Sequence, residues 1–164
     1  MIKPLVQKVL VAFNGSESSL HSLMYALIMA KQIKCQVKVV FVVDTVTIRQ
    51  LTMSKFVVKE EGADLETHLL GDGERNLNYA VNLAKSKGLK IETELRKGAV
   101  WSEIITAADQ FKADVILIGG NTTESALSNK RDVVSTQNSE IIGSAHCSVM
   151  LVRQPHIEQL FKLA

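Results

Sequence analysis

VLVAFNGSESS, residues 9–19, is an apolar run that stops at a short polar turn. Val9 to Phe13 is continuously apolar, the pattern of a central parallel strand covered on both faces. Beyond the turn, Leu20, Leu23, Met24 and Leu27 recur at helical spacing and predict a helix from Glu17 to about Gln32, with Ser16 as its N-cap. CQVKVVFVVD, residues 35–44, reads as a second buried strand ending at Asp44. Strand, helix and strand form one βαβ unit with a right-handed crossover. The turn Asn14-Gly15-Ser16 then has two readings: a ligand site at the end of a buried strand, or the cap of the following helix and nothing more.

The same alternation continues along the chain. Residues 45–72 mix short apolar runs with charge and lack one sustained period, so a mobile excursion containing a partial helix is expected there. Leu77, Ala80, Val81 and Ala84 mark a helix ended by Lys87-Gly88, and LKIETEL (89–95) an alternating strand nearer a sheet edge. Trp101, Ile104, Ile105 and Ala108 give a third helical stripe before the buried strand DVILIGG (114–120). The polar stretch 120–135 is followed by a short helix around Ile141, Ile142 and Ala145. SVMLVR (148–153) is the last strand, stopped by Pro155, and the tail carries Ile157, Leu160 and Phe161, enough to dock but not to stand alone. Five strands alternating with four helical segments predict a doubly wound α/β sheet. One domain over 1–164 is expected, with a core of about 7–153 and a C-terminal tail at 154–164.

Composition narrows the function classes. With 46% hydrophobic and 22% charged residues the chain is ordinary globular material. The net charge of +2 is spread along the chain without a basic run or aromatic interleaving, so no nucleic-acid partner is expected. No stretch is long and apolar enough for a membrane span, no secretory cleavage pattern precedes the first strand, and the two cysteines do not make a disulfide framework. The expectation is a cytoplasmic protein with no membrane partner.

In such a sheet, ligands bind beyond the carboxyl ends of the strands. Two stretches qualify, Ala12 to Ser16 and IGGNTTES (118–125), whose glycines allow close backbone approach and whose Asn, Ser and Thr side chains add hydrogen bonds. Neither a dinucleotide fingerprint nor a lysine-bearing phosphate loop is present. His146-Cys147 suggests an activated thiol, but neighbours entering a strand face opposite ways, so a core cysteine and a capping histidine are expected. His21, His68 and His156 lack Cys, Asp or His at recognised metal spacing, and no metal site is expected. Asp44 stands at the functional rim, where strand ends often carry acids. Asp109 and Asp114 read as capping and solvation, and no acid–base pair or catalytic residue emerges.

Three blocks together resemble the universal stress protein family. KVLVAFNGSESSLHSLMYALIMA is similar to its opening strand, turn and helix; LRKGAVWSEIITAADQFKADVILIGG to its central block; and SAHCSVMLVR to its closing strand. The resemblance implies a three-layer, Rossmann-like fold of the adenine nucleotide alpha hydrolase-like type, with a five-stranded parallel sheet of order 3-2-1-4-5. It also implies homodimers paired antiparallel through the last strand, here Val149, Met150, Leu151, Val152 and Arg153. One branch of the family binds ATP with magnesium, through an aspartate in the first turn and a glycine-rich loop after the fourth strand. This chain has Asn14 at the aspartate's place, Gly119 at the first glycine, Thr122 at the second and Ser135 at the third, with Thr136 as hydroxyl neighbour and a loop three residues longer. A retained pocket would be lined by Ala12, Phe13, Asn14, Val42, Ile118, Gly119, Thr122, Ser135, Thr136 and Gln137. Phe13 would crowd it, added Cβ atoms would meet the phosphates, and Lys130 or Arg131 would be the replacement cations. The resulting expectation is a non-enzymatic homodimeric stress-response protein with weak or no nucleotide binding and no cofactor. The alternative is an ATP-binding switch with a modified phosphate loop, with or without slow hydrolysis.

Overall fold

The computed structural model describes residues 2–54, 58–120 and 135–164. Its centre is a five-stranded sheet of β1 (Lys8–Ala12), β2 (Gln36–Asp44), β3 (Glu92–Gly98), β4 (Val115–Gly119) and β5 (Ser148–Val152). The order is β3-β2-β1-β4-β5, and every neighbouring pair is parallel. Six helices accompany it among the described residues: α1 (Glu17–Ile33), α2 (Thr45–Met53), α3 (Lys59–Lys85), α4 (Val100–Phe111), α5 (Thr136–Ser144) and α6 (Ile157–Leu163).

Period-two alternation in β1 sorts the core into two layers. Val9, Val11 and Phe13 join the cluster that includes Leu23 and Leu27 of α1 and Ala80 of α3. Leu10 joins the opposite cluster with Ile104 and Ala107 of α4 and Ile141 of α5. Val9, Leu10, Val11, Ile116 and Leu117 are fully buried, which explains why the two central strands read as uninterrupted apolar runs. Each such side chain contributes about 1.5–3 kcal/mol over an exposed one.

Local chemistry sets the ends of α1. Ser16 Oγ accepts from Ser19 N at 3.2 Å, Glu17 stands in the first turn, and Lys34 ends the helix in the left-handed region at φ 58°.

Three expectations are corrected. Most of the segment 45–72 is helical, as α2 and the first half of α3. α3 packs so closely that a Cβ at Gly73 would meet Leu95 Cδ1 at 2.6 Å, and one at Gly62 would meet Thr52 Oγ1 of α2 at 2.7 Å. The third strand begins at Glu92 rather than Leu89 and pairs Lys38–Asp44 with Glu92–Gly98; Leu89 and Ile91 pack ahead of it against the α1–α3 layer. Phe13 sends its ring into that same layer, 3% exposed, and so away from the α4–α5 face it was expected to crowd. The tail docks on its own chain: α6 packs on α1 with Ile157 and Phe161 buried.

Candidate functional site

The carboxyl ends of β1, β2, β4 and β5 open into one cleft of about 490 Å³ on the α4–α5 face of the sheet. Its floor is apolar, formed by Ala12, Val40, Val42, Ile104, Ile118, Ile141 and Leu151. Its rim is polar and is built from two helix starts.

The first is the β1–α1 turn. Asn14 Oδ1 accepts from Ser16 N at 3.0 Å, and Gly15 takes φ +81°, where a Cβ would strain the backbone and meet Asn76 Oδ1 at 2.7 Å. Ser19 Oγ donates to Ser16 O at 3.0 Å and lies 3.3 Å from Asn14 N, so turn and first helical turn hold each other. The second is the start of α5, where Ser135 Oγ accepts from Asn138 N at 3.1 Å and Asn138 Nδ2 donates to Gly119 O at 3.0 Å. Gly119 stands between the two, and a Cβ there would lie 2.5 Å from the backbone C and O of Ser18. Both helices therefore begin at the cleft.

Ala12, Asn14, Val42, Ile118, Gly119, Ser135 and Gln137 line this space, and Phe13 borders it although its ring packs in the opposite layer. Thr136 begins α5 but is not among the lining residues, and Thr122, Lys130 and Arg131 lie outside the described residues. Ser135 takes φ −60° and ψ 156°, ordinary extended backbone that a residue with a side chain adopts without strain. Leu151 and Arg153, expected at a dimer interface, stand on the cleft wall through the pairing of β4 with β5. A Cβ on Gly120 would meet Arg153 Cγ at 2.8 Å and Nε at 3.1 Å, so the arginine stem crosses that glycine. Sequence reading missed Arg153 as a cleft residue; its signal was a cation one residue beyond an apolar strand whose neighbour ends in glycine. It missed Asn138 too, which nothing but the cap at Ser135 would have indicated.

Two charged side chains line the cleft among the described residues, Asp44 and Arg153. The Asp44 carboxylate caps α2, its oxygens accepting from Thr47 N at 3.0 Å and Thr47 Oγ1 at 2.6 Å. His146 and Cys147 do not act as a pair. His146 Nδ1 lies 3.0 Å from Asp109 Oδ2, while burial, with Asp109 and Asp114 adding to it, pushes the Cys147 thiol above its ordinary value. Asp114 Oδ2 accepts from the Gln7 and Lys8 amides at 2.8 and 2.9 Å, and these bonds hold its carboxyl below the usual carboxylate range.

The comparisons agree with this architecture. A family model described as the universal stress protein family matches residues 6–153. Universal stress protein MJ0531 of Methanocaldococcus jannaschii is 31% identical over 157 residues, covering 94% of this chain and 86% of that protein. The chain is also similar in structure to universal stress protein UspA from Lactobacillus plantarum, with TM-score 0.72 and 18% identity over 90% of this chain and 98% of that one. A universal stress protein family protein from Arabidopsis thaliana, solved with AMP bound, gives TM-score 0.64 and 17% identity over 93% and 94% of the two chains.

Proposed function

The chain belongs to the universal stress protein family, and from that premise we propose that its cleft binds an adenine mononucleotide without turning it over, so that occupancy is the signal of a stress-response protein. The observation that carries this reading is the cleft itself. An apolar floor beside two helix amino-termini and one arginine suits a flat base at one end and an anion at the other. In this reading the base lies over Val40 and Val42, Asn14 meets the sugar, and the phosphate faces Ser135 and Arg153. The AMP-bound Arabidopsis protein, of the same fold, supports the choice of ligand class. Of the two readings open from sequence, the nucleotide-binding alternative is therefore preferred over weak or absent binding.

Magnesium is a poorer fit. Asp44 is the one carboxylate lining the cleft among the described residues, and both its oxygens already serve Thr47. An ion accompanying ATP would rest on phosphate and water. The same commitment of Asp44 leaves no placed general base among the described residues, which supports a non-enzymatic role.

We further propose a homodimer through β5. It is a sheet edge whose Val149, Met150 and Leu151 are only half-buried, and an apolar edge strand invites pairing. Sedimentation should then report twice 18.0 kDa; a species of 18.0 kDa at micromolar concentration would remove the dimer. No described helix is long and apolar enough to cross a membrane.

Titration calorimetry of nucleotide-free protein with AMP and ATP tests the main reading. One site per chain with affinity in the micromolar range is expected, abolished by Val42→Phe, which fills the floor. Absence of heat and of any affinity at millimolar nucleotide would end it.

A further inference from the structure

On the opposite face of α1's first turns, three metal-capable side chains from two helices converge. Glu17 and His21 are four residues apart, so they share one face of α1. Glu158, in the first turn of α6, reaches the same point from the far end of the chain. His21 Nε2 lies 3.2 Å from Glu158 Oε1 and 3.9 Å from Glu17 Oε1, and the three donor atoms all lie within 4.8 Å of one another. The imidazole is the fixed member, its side chain only 11% exposed, while Glu17 and Glu158 are exposed and adjustable.

We propose that Glu17, His21 and Glu158 form a site for a divalent transition metal of the zinc type, which clasps α6 to the start of α1. Zinc takes His nitrogen at about 2.0–2.1 Å and carboxylate oxygen at about 2.0–2.2 Å, so tetrahedral donors sit roughly 3.3 Å from one another. The 3.2 Å separation already meets that spacing, and the 3.9 Å separation closes with a small rotation of an exposed glutamate. Two carboxylates brought this near one another concentrate negative charge that a dication neutralises, with water completing the fourth position. A nitrogen donor with two oxygens favours zinc over magnesium or calcium, which prefer all-oxygen shells.

Sequence spacing did not reveal the site because its third ligand is 137 residues from the histidine, brought near by the docking of α6 through Ile157 and Phe161. The clasp stands apart from the nucleotide reading, although both use the start of α1: Ser18 and Ser19 face the cleft while Glu17 and His21 face α6.

The test is calorimetric titration of zinc into the tag-free, chelator-treated full chain at pH 7.5. One ion per chain is expected, with Glu158→Gln and His21→Gln each weakening binding by at least about tenfold, near 1.4 kcal/mol. Glu158→Gln alters an exposed side chain and serves as the folded control, checked by circular dichroism. Zinc should also slow hydrogen exchange in α6 of the wild type and not of Glu158→Gln. His146→Asn and Cys147→Ser should bind zinc as the wild type does. Any of four results overturns the proposal: no binding at 100 µM zinc, binding undiminished in Glu158→Gln, exchange in α6 unchanged by zinc, or one ion shared between two chains.

Discussion

Replacing Gly119 with alanine adds a single methyl group at the tightest point of the cleft. The added Cβ would lie 2.5 Å from the C and O of Ser18, both backbone atoms of α1. Ordinary carbon contacts sit near 3.5–4.0 Å, so the start of α1 must retreat by about 1 Å. A side chain would relieve such a clash by rotating; a helix backbone cannot, and overpacking of this kind costs about 1–3 kcal/mol. The alanine recovers roughly 0.5 kcal/mol by restricting the unfolded chain. The net loss of about 0.5–2.5 kcal/mol lowers the melting temperature by roughly 1–10 °C, at 2–4 °C per kcal/mol for a chain of this size. Because Ser16, Ser18 and Ser19 move with the helix start, AMP affinity should fall as well, by about tenfold if one hydrogen bond is lost. Differential scanning calorimetry and nucleotide titration on the same preparation read both effects. A Gly119→Ala protein that melts at or above the wild-type temperature would refute the reasoning, since it would mean that strand and helix are not in contact there.

Two further substitutions probe the periphery. Asp114→Ala removes the acceptor of the Gln7 and Lys8 amides and should destabilise by about 1 kcal/mol at pH 7, a small value because the group is exposed and screened. The folded-state pKa of Asp114 is depressed, so its contribution is present above the ordinary carboxylate range and lost as pH falls through the folded value. Urea melts should therefore show the gap between wild type and variant narrowing below about pH 4; a gap independent of pH would contradict the assignment. Cys147, its thiol raised by burial and by nearby Asp109 and Asp114, should alkylate at pH 7 more slowly than a free cysteine. Timed mass spectrometry with iodoacetamide measures it, and labelling as fast as glutathione would return a thiol chemistry to consideration.

The buried strands were legible because both of their faces are covered, leaving apolar runs with no polar interruption at Val9–Phe13, Val39–Val43 and Val115–Ile118. The first half of α3 was not, since Gly62 and Gly73 look like loop residues in a linear reading. They are glycines because the helix lies against Thr52, Phe41 and Leu95 with no room for Cβ, a reason that exists only in three dimensions. The boundary of β3 was misplaced for a related cause: Leu89 and Ile91 are apolar through packing against the α1–α3 layer, not through strand pairing. In the cleft, Asn14 was found because a turn announces itself locally, and Ser135 only through the family resemblance. Arg153 and Asn138 were not, because each reaches the site through a pairing or hydrogen bond between distant segments.

The central claim is tested most directly by following backbone amide resonances of the nucleotide-free protein as AMP is added. The account predicts saturable shifts at Asn14–Ser19, Gly119–Gly120 and Ser135–Asn138, the two helix starts and the strand end between them, with β3 and the outer face of α3 unmoved. Shifts confined to other surfaces, or none at millimolar AMP, would contradict it.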